Sequence, residues 1–210
     1  LLLIIYYSKI LNINNKKFMN KKICSIGECM IELVNNKEEN YTQFYAGDTF
    51  NFAFYFSKEK MKVDYLTAIG NCDFSNKFLK LMKKINISTN LVFKDKIHNM
   101  AIHILKRYPD GEKKFFYWRD NSAAYYFFND IKKNLSLSIL KKYQYIYFSG
   151  ITLSIMNEQN LITFFNLIKK LKKISTTKII FDLNIRNSRW LDKKFMKKIF
   201  TTYLKEVDIL

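Results

Sequence analysis

Proline and glycine are scarce: Pro109 is the single proline among 210 residues, and glycine occurs only five times. That composition excludes collagen-like and Pro/Gly-rich low-complexity chains. Cysteine is almost as rare. Cys24, Cys29 and Cys72 are too few for a disulfide framework and wrongly spaced for a zinc site. Histidine adds only His98 and His103, an odd number of residues apart, so a continuous strand would turn them to opposite faces. We expect reduced cysteines, no metal site and a cytoplasmic location.

Long apolar runs are missing too; no stretch reaches the roughly 18–20 residues of a membrane span. The opening Leu-Leu-Leu-Ile-Ile-Tyr-Tyr run is short, with no basic segment before it and no small-residue cleavage pattern behind it. It therefore predicts neither an anchor nor a signal peptide. Because Met19-Asn20-Lys21-Lys22 leads straight into strand-like sequence, residues 1–18 are expected to be a non-structural extension and 19–210 the folded portion.

What is abundant is lysine. Lys and Arg total 36 against 18 Asp and Glu, a net charge of +18, yet only Arg107, Arg119, Arg186 and Arg189 are arginine. A nucleic-acid footprint clusters its cations. Here lysine doublets are scattered (Lys83-Lys84, Lys132-Lys133, Lys141-Lys142, Lys193-Lys194). The pattern is that of a solvated surface, with neither nucleic acid nor membrane expected as partner.

Along the chain, strand-like and helix-like segments alternate. Strands are predicted over 22–27, 41–46, 63–69, 145–148 and 178–182. Helices are predicted over 49–60, 74–84, 135–142, 158–173 and 192–204. Residues 100–119 interrupt the alternation with two strand-like runs joined by Tyr108-Pro109-Asp110-Gly111, where proline presets φ and glycine accepts a positive one. The expected fold is α/β, a doubly wound, mostly parallel sheet with a small antiparallel β-lid built from segments around 41–47 and 100–119. Ligands of such sheets bind at the carboxyl ends of the strands.

The polar clusters fall at those ends. Glu28 follows the first strand; Gly47-Asp48 opens a helix, with Thr49 and Asn51 in its first turn; Ser149-Gly150-Ile151 ends one strand, and Asn184 and Arg186 end another. Asp48 and Asn51 can exchange hydrogen bonds with hydroxyls, although Asp48 equally serves as a helix cap. Tyr117-Trp118-Arg119 joins apolar faces to a guanidinium fork suited to a carboxylate, or else packs on the core with a surface arginine. Arg186 also reads as a helix-flanking salt bridge.

Taken in order, IGECMIEL (26–33), AGDTFN (46–51), FFYWRDNSAA (115–124) and FDLNIR (181–186) resemble the ribokinase-like (PfkB) carbohydrate kinases. Within these, the resemblance is to the 2-dehydro-3-deoxygluconate kinases. It implies transfer of the ATP γ-phosphoryl group, with Mg2+, to the terminal hydroxyl of a keto-deoxy sugar acid. The small-molecule partners are then the sugar acid and ATP, and self-association is compatible with the family. The resemblance implies that Gly47, Asp48, Thr49, Asn51 and Ile151 bind substrate. Tyr117 and Arg119, with Trp118 between them, would hold the keto-acid end. Arg186 would lie near the transferred group and, with Asn184, on the nucleotide side.

Three departures stand out. His103 replaces a lid tyrosine and is expected among the substrate-binding residues, still able to hydrogen-bond but altering shape, charge and substrate preference; a glycine expected near Lys60 is missing; and Cys72 stands where an aspartate is expected, one residue before Asp73. No Gly-Ala-Gly-Asp phrase occurs, so the catalytic base is expected beyond Leu210. The sequence reads as an N-terminal portion, truncated before the nucleotide-binding part and inactive alone. The alternatives are another sugar kinase of the same fold, such as a fructokinase, and a non-catalytic remnant or basic binding module.

Overall fold

A computed structural model describes residues 21–36, 40–59 and 61–210; the expected extension over 1–18 and Lys60 lie outside them. Strands β1 (Lys22–Ile26), β4 (Lys62–Ile69), β5 (Ile87–Ser88), β6 (Val92–Lys94), β9 (Tyr145–Ser149) and β10 (Lys178–Asp182) form one parallel sheet. Its order is β10-β9-β1-β4-β5, with β6 also pairing β4. The chain runs outward from β1 in one direction through β4, then restarts at β9 on the other side. The switch point lies at the carboxyl ends of β1 and β9, where open α/β sheets bind ligands.

Strands β1, β4, β9 and β10 are buried on both faces, which explains their continuous apolar character. Cys24, Ile146, Phe148, Ile179 and Phe181 enter one core with α3 (Ala123–Phe128), α7 (Glu158–Ile174) and α8 (Lys193–Leu204). Ile23, Val63, Tyr145, Tyr147 and Ile180 enter the other, with α1 (Asp48–Lys58) and α2 (Asp73–Lys84). Phe52 of α1 lies flat on Tyr147, ring centroids 3.7 Å apart and planes 2° from parallel. In α7 the residues Leu161, Phe164, Ile168 and Leu171 are buried, as their spacing predicts.

The predicted helix over 135–142 is broken. Leu135 is extended between α4 (Ile131–Asn134) and α5 (Leu137–Leu140), and its side chain is buried. Tertiary burial of one leucine overrides the local pattern there. The helix α3 had no counterpart among the sequence expectations. Ser122 caps it, accepting from Tyr125 N at 3.1 Å.

A second sheet, the lid, has the order β3-β2-β7-β8, built from Tyr41–Ala46, Met30–Asn35, Ala101–Arg107 and Lys113–Trp118. The hairpin over 101–118 is present as expected. Strand β2, read from sequence only as a continuation of β1, is instead a central lid strand. The lid is antiparallel at its two outer pairings and parallel in the middle, where β2 meets β7. A parallel pair needs a long crossover, and the segment from α1 to β6 supplies it.

Candidate functional site

Four connections join sheet and lid, and three of them meet at Glu28. The first is Gly27–Cys29, leading from β1 to β2. Gly47, leading from β3 to α1, is the second. It adopts φ 153°, and a Cβ there would lie 2.5 Å from the Glu28 carbonyl oxygen, so the close approach requires glycine. Asn99, before β7, is the third, its carbonyl accepting from Ala123 N at 2.8 Å. Arg119, after β8, is the fourth. Its Nη2 sits 2.5 Å from Glu28 Oε2, and both side chains are almost fully buried. Ser122 Oγ donates to Glu28 Oε1 at 2.7 Å. The glutamate thus ties together the root of the lid and the start of α3.

Alternation sorts the lid residues into two faces. Across three strands Glu32, His103 and Tyr117 are direct partners in register, on one face. Ile31, Ile102 and Trp118 occupy the other, where Ile31 joins the α1/α2 core and Trp118 is exposed. Trp118 also borders a cleft of about 570 Å³ along the lid root, with Tyr117, Arg119, His98, Met100, Ile102 and Asn121. Tyr117, Trp118 and Arg119 thus line one cleft, although Trp118 leaves β8 on the face opposite Tyr117.

His103 is 5% exposed. Its Nε2 lies 2.9 Å from Glu32 Oε1, whereas Nδ1 is buried with no hydrogen-bond partner. Arg119 Nε is likewise buried and unpartnered. Buried donors and acceptors are normally satisfied, so each such atom calls for an account. Of the two, His103 Nδ1 belongs to the face that also carries Tyr117, and Arg119 Nε to the lid root.

Beneath the lid, the carboxyl ends of β9 and β10 meet the first turn of α1. Asp48 Oδ1 accepts from Thr49 N at 2.9 Å, and Oδ2 accepts from Asn184 Nδ2 at 2.9 Å. A carboxylate has about four acceptor positions, so Asp48 keeps roughly two. Asn184, at φ 32°, also donates its backbone N–H to Asp182 Oδ1 at 3.0 Å, and Tyr147 Oη donates to Asp182 Oδ2 at 3.3 Å. Burial pushes the Asp182 carboxyl up, and the Asp48 charge adds to this; the Asn184 N–H, the Tyr147 hydroxyl and the Arg186 charge offset it only in part.

Of the remaining sequence candidates, Asn51 and Arg186 are exposed and Ile151 is half-buried in the first turn of α6 (Gly150–Ser154). Thr49 needs correction. It is fully buried, with Oγ1 3.1 Å from the Tyr65 hydroxyl and its carbonyl accepting from Ser25 Oγ, so it packs against the sheet behind the site. Asn184, assigned to the nucleotide side, is bonded to Asp48, so the two groups of expected contacts touch. Sequence reading left Glu32, Asp182, Tyr147 and Ser122 out of the site. Alternation within the Met30–Asn35 run was the signal that could have exposed Glu32.

A family model described as pfkB family carbohydrate kinase matches residues 20–210. A 2-dehydro-3-deoxygluconokinase of Haemophilus influenzae is 34% identical over 195 residues, covering 90% of this chain and 61% of that protein. The enzyme of that name from Dickeya dadantii is 30% identical, covering 90% and 62%. The chain thus spans about three-fifths of these relatives. Among solved structures, a PfkB protein from Polaromonas sp. JS666 superposes with TM-score 0.80 at 18% identity, covering 90% of this chain and 64% of that one. A 2-dehydro-3-deoxygluconokinase from Thermotoga maritima gives 0.77 at 19%, covering 90% and 58%.

Proposed function

Because the chain belongs to the pfkB family of carbohydrate kinases, we propose that it is the acceptor-binding portion of a 2-dehydro-3-deoxygluconate kinase. The observation that carries this reading is the pair of buried, unpartnered nitrogens at the lid, Arg119 Nε and His103 Nδ1. Arg119 offers a planar donor fork to the acid end of the sugar, and Tyr117 covers it. Asp48, its carboxylate held by Asn184, and Asn51 take sugar hydroxyls at the other end. Arg186 brings positive charge to the carboxyl end of β10.

Phosphoryl transfer rests on positioning and on stabilising charge. In this reading ATP supplies the phosphoryl group, and these residues fix the acceptor so that its terminal hydroxyl faces the nucleotide. The Mg2+ implied by the family finds no group of three or more His, Cys, Asp or Glu among the described residues. No Gly-Ala-Gly-Asp phrase is present. We infer that this sequence alone binds acceptor without transferring phosphate, since losing a general base costs roughly 10²–10⁴-fold.

Calorimetric titration with 2-dehydro-3-deoxygluconate and with fructose, followed by an ATP-coupled assay, tests both parts. Binding of the acid alone, without turnover, is expected. Preference for fructose would replace the substrate assignment, and turnover would end the claim of inactivity.

A further inference from the structure

His103 is placed so that it can accept the oxygen of an anion only by taking up a proton. The Glu32 carboxylate beside Nε2 can only accept hydrogen bonds, so Nε2 carries the hydrogen of the neutral ring. Nδ1 is then a bare lone pair, buried and without a partner. A carboxylate oxygen brought to that lone pair meets an acceptor with an acceptor. A sugar hydroxyl would instead donate to it directly.

The charges around the ring point the same way. Glu32 faces it from β2 and Tyr117 from β8, while Phe115 flanks it without charge. At the lid root, Arg119 is already matched by Glu28. The two carboxylates and one permanent cation sum to one negative charge, so an anionic ligand needs further positive charge in a buried setting.

Resting on the reading above, we propose that His103 is a specificity-determining residue that makes sugar-acid binding proton-coupled: one proton passes from solvent to Nδ1 as the acid docks, and the resulting imidazolium bridges Glu32 and the ligand. Neutral sugars bind without that proton. Half-exposed Tyr117, whose ring centroid is 5.7 Å from that of His103, is the side chain that yields to admit the ligand.

Calorimetry with 2-dehydro-3-deoxygluconate at pH 8, in Tris and in HEPES, reads the proton count from the difference in heat. About one proton per acid is expected at pH 8. Where one proton is taken up, affinity should fall by about tenfold per pH unit. His103→Tyr and His103→Gln should each abolish the uptake, and Glu32→Gln should reduce it by freeing the tautomer. Ring ¹⁵N shifts in the ligand-free protein should report hydrogen on Nε2 alone at pH 8. Acid binding with no proton uptake, or with uptake undiminished in both His103 variants, overturns this inference and leaves the site reading standing. If the acid does not bind at any pH, both fall.

Discussion

Asn184 donates to Asp48 across 2.9 Å, joining the end of β10 to the first turn of α1 over 136 positions of sequence. The same asparagine donates its backbone N–H to Asp182, so one residue keeps two carboxylates apart while bonding to both. Replacing it should expose that role. Asn184→Ala should cost about 1 kcal/mol, the net worth of an ordinary hydrogen bond. Asn184→Asp sets a third carboxylate against the other two and should cost more. The extra cost should grow as pH rises from about 4 to 7. Urea denaturation of both variants at the two pH values measures it; an aspartate as well tolerated as alanine at pH 7 would discredit the bridge.

The Glu28–Arg119 pair makes a stronger prediction because both side chains are almost entirely buried. Removing one partner leaves an uncompensated charge inside the lid root. Arg119→Met should therefore cost about 3–5 kcal/mol, and adding Glu28→Gln should recover much of that loss. Chemical denaturation of the single and double variants gives the coupling. Simple additivity would mean that the ion pair does not hold the lid root together.

The cysteines should differ sharply in reactivity. Burial raises the Cys24 and Cys29 thiols well above the ordinary range. At Cys72 burial acts in the same direction, but hydrogen bonds from Ser75 and from the Phe74 backbone outweigh it and the thiol is lowered. Thiolate character controls alkylation. Iodoacetamide at pH 8 should modify Cys72 first, and Ser75→Ala should slow the reaction. Peptide mapping that found Cys24 modified in the folded protein before Cys72 would contradict the packing described.

Asp208 should govern part of the acid stability. Burial opposes its ionisation, but Lys172, the Ile179 N–H and Lys178 outweigh burial and hold the carboxyl below its usual range. A depressed carboxyl contributes stability above the unfolded-state value near 4 and loses it as pH falls through the folded one. The wild type should exceed Asp208→Asn by about 1 kcal/mol at pH 6, with the gap closing toward pH 3. Melting curves across that range measure the gap; a constant difference would place the effect elsewhere.

Much of the architecture was legible because its signals are local. The Pro109-Asp110-Gly111 turn announced the hairpin, and the stripe of Leu161, Phe164, Ile168 and Leu171 announced α7. Strand β2 escaped notice because only three residues, Gly27 to Cys29, separate it from β1, too few to mark a change of sheet. Motif order brought out Gly47, Asp48, Tyr117 and Arg119 as candidates. It could not separate Tyr117 from Trp118, since adjacent residues share a phrase but not a face. Nor could it reveal that Thr49 points at Tyr65, or that Asn184 reaches Asp48, because both contacts depend on how distant strands stack.

The same alternation gives the protein two separate optical probes. Its two tryptophans are Trp118, 59% exposed at the cleft along the lid root, and Trp190, 7% exposed where it packs against Phe200 in the main core. Emission from Trp190 therefore follows the opening of the core, while emission from Trp118 follows what happens at the lid. With either tryptophan replaced by phenylalanine, the other becomes a single-site fluorophore. Movement of the lid can then be watched separately from unfolding, with no dye attached.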